Sequence, residues 1–462
     1  MAGIKEAARQ LEVLAEADVV VAGGGPAGFP AAVAAARHGA KVVLIEQYGF
    51  LGGMATAGLV GPILGHRAHN KARAILGGIP RELCDRLHKA GGAPPFEEEL
   101  NFWGVRFEPE IMKIVLDEMV LGAGVDVVLH GFVAGAVVEG GRIRALVIES
   151  KSGRQAVVGK VFVDATGDAD VAFRSGAPTH KGRASDGMPM AMGSMFHLGG
   201  VRRLTEEERK VGAERVARAR DRGDVHCYSV GIETRSSSLR PDYITPNMTR
   251  FSGDATNVRD LTRGEITTRK DIWQILNFYR KNVPGYEGAY LAAMPFQIGV
   301  RETRQIEGPY ALTGDDIVEG RRFDDVIALG SWWIDIHCPL GRTGEGVHVC
   351  RIDCEADPPC DMLTRHKDDL PSKLHPPEGG WYDIPYRCLL AKKVGNLLVS
   401  GRCISATPAG MAGSRVMGTC MALGQAAGTA AALSAAKGVA PADLPVKGLQ
   451  DALTEAGAML HP

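Results

Sequence analysis

The chain contains 462 residues, of which 45% are hydrophobic and 23% are charged. This is ordinary usage for a globular protein, and the length suffices for about two or three domains. The formal net charge is −1 and no basic tract stands out, so the electrostatic footprint of a nucleic-acid-binding protein is missing. Charged residues precede the first apolar run, an order that does not fit a secretory signal peptide. We therefore expect a cytoplasmic protein without a nucleic-acid or membrane partner.

The stretch "DVVVAGGGPAGFPAAVAAARHGAKVVLIE" near the N-terminus is typical of a strand, a glycine turn, a helix and a second strand. Gly23, Gly25 and Gly28 match the pattern G-x-G-x-x-G, which permits a tight turn and close approach of a pyrophosphate. Glu46 ends the second strand, where a carboxylate accepts hydrogen bonds from ribose hydroxyls. Pro30 is an irregularity that the first part of a helix tolerates. The pattern predicts a dinucleotide site and leaves NAD and FAD open.

The remaining pattern indicates a fold in two parts. Short runs separated by the breaks "EGG" and "KSG" predict a small antiparallel meander. The composition becomes richer in Arg, Asp, Trp and Tyr after residue 190. Near the C-terminus, the pattern again resembles that of the first part of the chain, with the buried strand "NLLVSGR" and the Ala-rich helix "GTCMALGQAAGTAAALSAAKG". We predict an α/β protein with a Rossmann-like dinucleotide-binding domain that contains a three-stranded β-meander. This domain is discontinuous, over residues 1–190 and 380–462, and an α+β substrate domain is inserted at 191–379.

Two observations favour FAD over NAD. The glycine pattern occurs once, at the start of the chain, and Glu46 is followed by "QYGFLGGMATAGL", in which Gly52 and Gly53 leave room for an extended cofactor. A nicotinamide dehydrogenase has no evident need for this loop, although a plain NAD dehydrogenase remains an alternative. The nine cysteines form no CxxC pair, which argues against a disulfide-reductase centre. Electrons are therefore not expected to arrive from NAD(P)H through a dedicated domain.

Four longer stretches carry a family resemblance. "AGGGPAG…LIEQYGFLGGMATAG", "FVDATGDADVA", "RRFDDVIALGSWWIDIHCPLG" and "DIPYRCLLAKKVGNLLVSGRCISAT…SRVMGTCMALGQAAGTAAAL" resemble the FAD-dependent oxidoreductases. This family belongs with the glutathione-reductase-like flavoproteins and is distantly similar to the fumarate reductase flavoprotein. The resemblance covers nearly the whole chain. It implies FAD and an FAD/NAD(P)-binding fold split by an inserted domain, and it implies little about the substrate.

The resemblance also assigns cofactor contacts. The glycine turn and Glu46 would hold the ADP half, and the "ATGD" segment would lie near the pyrophosphate. Arg402 stands where relatives have an acid, so a carboxylate contact with the ribityl chain is not expected there. The start of the Ala-rich helix would face the flavin, where its dipole stabilises negative charge on reduced flavin. The residues placed against FAD are Gly23, Gly25, Pro26, Ala27, Gly28, Glu46, Gln47, Gly52, Gly53, Met54, Ala55, Thr56, Val133, Ala165, Thr166, Gly167, Asp168, Gly401, Arg402, Gly418, Thr419 and Cys420.

Three residues are candidates for chemistry. Arg415 precedes the Ala-rich helix, where fumarate-reductase-like relatives use an arginine to grip a substrate carboxylate; a structural salt bridge is the alternative. Asp335 and His337 lie two apart in "WWIDIHCPLG", so an extended backbone turns both to one face. Asp335 would then orient the ring of His337, which can move protons at neutral pH. Relatives carry a His-Glu pair at positions 408 and 409, but this chain has Pro408 and Ala409.

Several other residues have structural interpretations. Arg301 and Arg304 are expected to pair with Glu302 and Glu307, and the alternative is that they add positive charge near the site. Trp332 and Trp333 either stack on a ligand or are buried between domains, and His197 is expected in a core strand. The cysteines between Cys338 and Cys360 are expected to form no metal site. The substrate is expected to be a small molecule, with a carboxylate or an aromatic group, and two reactions stay open, namely dehydrogenation of a C–H next to O or N and reduction of an activated double bond. A non-redox FAD and self-association also stay open.

Overall fold

A computed structural model describes residues 3–462 except 5, 185, 231, 233–238, 338, 340, 341, 344, 345 and 348–372. The α-helices are α1 (Gly28–Arg37), α2 (Gly78–Lys89), α3 (Phe96–Glu99), α4 (Pro109–Gly122), α5 (Asp170–Arg174), α6 (Glu206–Asp221), α7 (Val258–Asn282), α8 (Gly314–Glu319), α9 (Pro408–Ser414), α10 (Met417–Lys437) and α11 (Val446–Glu455). The strands are β1 (Glu12–Ala22), β2 (Val42–Ile45), β3 (Asp126–Val128), β4 (Phe132–Glu139), β5 (Arg142–Ser150), β6 (Gly153–Asp164), β7 (Thr179–Lys181), β8 (His197–Gly199), β9 (Tyr290–Ala293), β10 (Arg304–Ile306), β11 (Val326–Gly330), β12 (Arg342–Thr343), β13 (Gly346–Val347), β14 (Tyr382–Pro385) and β15 (Leu397–Val399).

A parallel sheet organises the mixed α/β fold. Strand β1 pairs in parallel with β2 on one side and with β6 on the other. Strand β3 extends the sheet beyond β2, and β15 joins the second half of β6, also in parallel. The run from Val19 to Ala22 and the whole of β2 are buried, as expected for strands covered on both faces. The carboxyl ends of these strands therefore meet at one edge, where open α/β sheets bind ligands.

Strand β6 also takes part in antiparallel pairing. Its first half pairs with β5, from Ala145 opposite Val158 to Ser150 opposite Gly153. Strand β5 pairs antiparallel with β4 on its other side. The second half of β6 instead pairs with β15, from Phe162 opposite Leu397 onward. The long strand β6 thus brings a segment from near the C-terminus into the N-terminal sheet.

Helix α10 packs against α1 through close backbone contacts. A Cβ atom on Gly424 would lie 2.0 Å from the carbonyl oxygen of Ala27, and one on Gly428 would lie 2.0 Å from that of Ala31. The two glycines are four residues apart and share one face of α10, so no side chain separates the helices there. This contact fixes the N-terminus of α10 beside the glycine turn that precedes α1.

The segment between β8 and β9 has a hydrophobic cluster of its own. Phe196, Ile272, Tyr279 and Tyr286 are buried in this cluster, which includes parts of β8 and α7. The rings of Tyr279 and Tyr286 meet edge to face at 4.9 Å. The cysteines at positions 338, 350, 354 and 360 lie outside the described residues. Within the described chain, no single helix is long and apolar enough to cross a membrane, although α9 and α10 pass that test as a pair bent by 95°.

His66 is expected to make stability fall in acid. It is 1% exposed, its Nε2 lies 2.9 Å from the carbonyl oxygen of Glu99, and burial lowers its pKa to about 4. As the pH falls below about 6.5, the unfolded chain gains the proton first, so the folded state loses about 2 kcal/mol by pH 5. In His66→Gln, the difference in melting temperature between pH 7 and pH 5 should shrink. His88→Gln, at an exposed site, is the control, and an equal effect of both changes would contradict the assignment.

Candidate active site

The three glycines of the turn occupy positions with different steric requirements. Gly23 has φ +94°, and a Cβ there would lie 2.5 Å from the carbonyl oxygen of Ala165. A Cβ on Gly28 would lie only 1.7 Å from the carbonyl oxygen of Gly23. Gly25 meets neither constraint, because its Cβ would find only the Cα of Gly53, at 3.6 Å. The fold therefore requires glycine at 23 and 28, whereas glycine at 25 leaves an open surface that a ligand can approach.

Glu46 closes one end of the glycine turn. Its Oε2 accepts a hydrogen bond from the backbone N–H of Gly24 at 2.7 Å, and its Oε1 accepts one from the N–H of Tyr48 at 2.9 Å. The carboxyl group is 4% exposed, and burial raises its pKa. Gln47 beside it is exposed, while Val133 packs in the core cluster that holds the last residues of β1 and β2. Glu46 is thus held at the position where a ribose contact is expected.

The loop that carries Gly52 and Gly53 lies directly against the glycine turn. Gly52 has φ +105°, and its N–H donates to the carbonyl oxygen of Gly24 at 2.9 Å. A Cβ on Gly53 would lie 2.7 Å from the Cα of Gly25. The hydroxyl of Thr56 donates to the carbonyl oxygen of Leu51 at 2.6 Å, which closes the short 3₁₀ turn of Gly53–Ala55. Met54 and Ala55 are thereby held next to the same surface.

The remaining residues predicted to bind the cofactor lie along the edge where the carboxyl ends of the parallel strands meet. Strand β6 leads into Ala165–Asp168, where the hydroxyl of Thr166 donates to Asp164 at 2.7 Å. A Cβ on Gly401 would lie 3.0 Å from the Cβ of Ala27. At the start of α10, the N–H of Gly418 donates to the carbonyl oxygen of Leu64 at 2.9 Å. The segments predicted to hold the cofactor therefore lie around one edge of the sheet.

Two buried hydroxyls without partners fit a bound dinucleotide. The Tyr48 hydroxyl, next to Glu46, and the Thr419 hydroxyl, in the first turn of α10, are buried and have no hydrogen-bond partner in the described chain. Buried polar groups are normally satisfied. Together with the open surface at Gly25, these two hydroxyls fit a bound dinucleotide such as FAD.

The three predicted catalytic residues come together beside α10. Arg415, between α9 and α10, donates from Nη2 to the carbonyl oxygen of Asp335 at 3.0 Å and to its Oδ2 at 3.1 Å. The other carboxylate oxygen, Oδ1, lies 3.4 Å from Nε2 of His337. Asp335 thus links the guanidinium of Arg415 to the imidazole of His337, on the shared face that the sequence spacing predicts.

Two further arginines complete the site: Arg250, which the sequence did not indicate, and Arg301, for which positive charge near the site was the alternative prediction. Nη2 of Arg250 lies 3.4 Å from Nδ1 of His337, and its guanidinium carbon lies 3.8 Å from the centre of the Tyr228 ring. Nη1 of Arg250 donates to the side-chain oxygen of Asn247 at 2.9 Å, and Nη2 of Arg301 approaches the same oxygen at 3.5 Å. No sequence pattern pointed to Arg250, Tyr228 or Asn247. We call Arg250, Arg301, Arg415, Asp335 and His337 the arginine cluster.

The arginine cluster is electropositive around a neutral imidazole. Burial opposes ionisation of Asp335, but His337, Arg415 and Arg301 outweigh it and hold the pKa of this carboxyl well below its usual range. Burial, with Arg301 and Arg250 nearby, lowers the pKa of His337 to about 3 although Asp335 favours the proton. Burial lowers the pKa of Arg250 to about 10, so it stays charged at neutral pH. Arg415 alone contacts this carboxylate, and the guanidinium groups of Arg250 and Arg301 lie near enough to act on it through their charge.

The expected ion pairs of Arg301 and Arg304 were wrong. Nη1 of Arg301 donates to the carbonyl oxygen of Ala191 at 2.8 Å, and Nη1 of Arg304 lies 3.0 Å from Asp170. Adjacent side chains on an extended backbone point to opposite sides, so Arg301 cannot easily reach Glu302. Its contacts place Arg301 in the arginine cluster instead.

The remaining aromatic candidates are Trp332, Trp333 and His197. Trp333 stacks on His375 with ring centres 5.4 Å apart, and the buried indole nitrogen of Trp332 has no partner among the described residues. His197 lies in the buried strand β8, as expected.

Residues 18–453 match the family model described as FAD dependent oxidoreductase. The chain belongs to this family, which confirms the resemblance seen in the sequence; it is an enzyme of the oxidoreductase class, and FAD is its cofactor. Among curated protein sequences, none matches the chain.

Three solved structures to which the chain is similar are distant from it. A flavin-dependent brominase is 14% identical, with a TM-score of 0.43 over 95% of this chain and 83% of that one. A geranylgeranyl bacteriochlorophyll reductase-like protein from Thermoplasma acidophilum is 12% identical, with a TM-score of 0.40 over 95% of this chain and 83% of that one. A glycine oxidase from Geobacillus kaustophilus is 12% identical, with a TM-score of 0.37 over 66% of this chain and 86% of that one. The reaction has to be argued from the site itself.

Proposed function

We propose that the enzyme oxidises a small organic acid by removing hydride from a carbon next to oxygen or nitrogen. The observation that supports this is the arginine cluster, in which Arg415 contacts the Asp335 carboxylate, Arg250 contacts a neutral imidazole, and Arg301 shares Asn247 with Arg250. Arg415 and Arg250 would hold the substrate carboxylate, and His337 would remove the proton from its hydroxyl or amino group.

Binding of an anion follows from the charges. Asp335 balances only one of the three guanidinium groups, so the cluster keeps a positive charge at neutral pH. Arginine binds carboxylates through two parallel hydrogen bonds, which gives orientation as well as affinity. A carboxylate would therefore be fixed beside His337, and the carbon next to it would be held for transfer.

The direction of the reaction follows from the imidazole. Because the pKa of His337 is lowered to about 3 in the free protein, its ring is neutral at pH 7, and a substrate carboxylate bound beside it would raise that pKa and make the ring a better proton acceptor. Bound FAD supplies the hydride acceptor, at flavin N5. Asp335 would stabilise the imidazolium that forms when His337 takes the substrate proton.

The test is anaerobic reduction of the bound flavin. The holoenzyme is mixed with a panel of 2-hydroxy acids and amino acids and with their neutral amides, and absorbance is followed at about 450 nm, where oxidised flavin absorbs. We expect bleaching by one or more of the acids and not by the matching amides. Equal bleaching by acid and amide would contradict the carboxylate contact. If nothing bleaches the flavin, a non-redox role of FAD is favoured.

His337 should add no inflection near pH 6.5 to the pH dependence of the rate between pH 8 and 5. The second-order rate constant for flavin reduction reports groups of the free enzyme, and His337 with a pKa of about 3 stays neutral over this range. Stopped-flow reduction by a reactive 2-hydroxy acid measures this constant. An unperturbed histidine would instead halve the rate near about pH 6.5, and that result would contradict the assignment.

The opposite direction, reduction of an activated double bond, has one observation in its favour. It needs a proton donor, and Glu302 is a suitable group because it is 3% exposed and burial raises its pKa to about 7. Its Oε2 accepts the N–H of Met190 at 2.8 Å, and its buried Oε1 has no partner within the described residues. If this direction operates, enoates should oxidise chemically reduced wild-type enzyme and Glu302→Gln should abolish that oxidation; oxidation of the variant at the wild-type rate would contradict the role of Glu302.

The proposal includes a division of the chain into two parts. The FAD-binding part would comprise residues 1–190, with the three-stranded meander, and 380–462, and the inserted part, 191–379, would supply Arg250 and Arg301. The separate hydrophobic cluster of β8 and α7 supports this division. A dehydrogenase acting in the cytoplasm on a soluble small molecule fits these features, and self-association is a further property to test by light scattering.

A further inference from the structure

Arg402 lies where an acid is expected, and its side chain is held in a defined place. Its Nη1 donates to the carbonyl oxygen of Val300, and its Nη2 lies 3.1 Å from Oδ1 of Asp168. The guanidinium covers Gly167, whose Cβ would lie 2.6 Å from Nη2. Thr303 donates to the same Oδ1 of Asp168 at 2.7 Å and fixes the carboxylate. The positive charge is thus placed over the turn that follows β6.

This position lies between the two ends of the cofactor site. Burial raises the pKa of the Tyr48 hydroxyl, beside Glu46, and the charge of Arg402 acts against that rise. Burial also raises the pKa of the Cys420 thiol, in the first turn of α10, to about 12, and Arg402 again acts against it. One guanidinium therefore lies close enough to influence both the adenosine end and the flavin end.

We propose that Arg402 binds the diphosphate of FAD, and that Asp168 is the residue that positions it. In an extended FAD, the charged diphosphate lies between the adenosine and the flavin. Arg402 likewise lies between the two ends of the cofactor site, along the edge of the sheet. A guanidinium has five N–H donors in a planar fork that suits phosphate oxygens. The contacts with Val300 and Asp168 do not use all of these donors, so some are left for the diphosphate. The chain would thus hold FAD by a cation at a position where its relatives have an acid.

The experiment compares Arg402 with a matched arginine. Arg304 has a similar exposed fraction, 13% against 15%, and it also contacts this turn, through Asp170 at 3.0 Å. FAD is removed from the full-length protein and titrated back, with flavin fluorescence as the readout. Arg402→Gln should raise the dissociation constant of FAD by about 10- to 100-fold, the usual worth of a charge-assisted hydrogen bond, and Arg304→Gln should change it less than about threefold.

A second readout reports the phosphates directly. In the FAD-loaded protein, Arg402→Lys should move the phosphorus NMR resonances of the bound diphosphate, whereas Arg304→Gln should not. Arg402→Lys keeps the charge and therefore serves if Arg402→Gln does not fold. Unchanged affinity and unchanged resonances in a folded Arg402→Lys protein would overturn the proposal, as would equal effects of the Arg304 change. Neither readout depends on the proposed reaction.

Discussion

Replacing Arg415 with glutamine is expected to lower the second-order rate constant for flavin reduction by an organic acid by about 100- to 1,000-fold, the usual loss when one partner of a buried charge pair at a binding site is removed. Arg415 donates two hydrogen bonds to Asp335, which in turn contacts His337. Its loss would remove a carboxylate partner and also loosen the residue that orients the imidazole. Stopped-flow spectroscopy with the acid found in the substrate panel measures the effect.

Two comparisons separate binding from a general loss of structure. Arg415→Lys keeps the charge without the planar fork, so it should recover part of the rate. Arg387→Gln breaks the ion pair of Arg387 with Asp325, 2.9 Å apart, outside the arginine cluster, and should leave the rate unchanged. If Arg415→Gln slowed reduction by a neutral alcohol as much as reduction by the acid, Arg415 would act only through Asp335.

Replacing Gly25 with alanine is expected to separate cofactor binding from folding. The Cβ would make an ordinary contact with Gly53 at 3.6 Å, so the apoprotein should keep its melting temperature within a few degrees. The same Cβ would occupy the surface that faces the diphosphate, and we expect FAD affinity to fall by about 100-fold or more. Fluorescence titration with FAD and thermal unfolding of the apoprotein measure the two quantities.

The matched change is Gly28→Ala. Its Cβ would lie 1.7 Å from the carbonyl oxygen of Gly23, so the strand and helix would have to separate. We expect little folded protein from this variant, in contrast to Gly25→Ala. A Gly25→Ala protein that unfolds as readily as Gly28→Ala, or that binds FAD normally, would contradict the different reasons assigned to the two glycines.

The cofactor end of the site could be predicted because its signal is local. Gly23, Gly25, Gly28 and Glu46 lie within one strand, helix and strand, whose geometry sets which of them face a ligand. Asp335 and His337 were likewise brought together by the period of two of an extended chain. The start of α10 was recognised from the family resemblance, and the structure adds why it lies there, through the close contact of Gly424 with Ala27.

The charge of the substrate site could not be predicted in the same way. Arg250 meets His337 across 87 residues, and Arg415 meets Asp335 across 80. An isolated arginine is most often a solvated surface residue, so nothing in the stretch around Arg250 set it apart. The pairing expected for Arg301 was wrong for a related reason, since the direction of its side chain depends on which strands neighbour it.

The sequence by itself determined the family, the cofactor and the strand–turn–helix–strand unit that carries the glycine turn, because these follow from local spacing and from long matching segments. Only the tertiary structure decided that three arginines come together near Asp335 and His337, and that burial lowers the pKa of His337. Those properties depend on burial and on distances between segments far apart in the chain, and electrostatic energies change steeply with both.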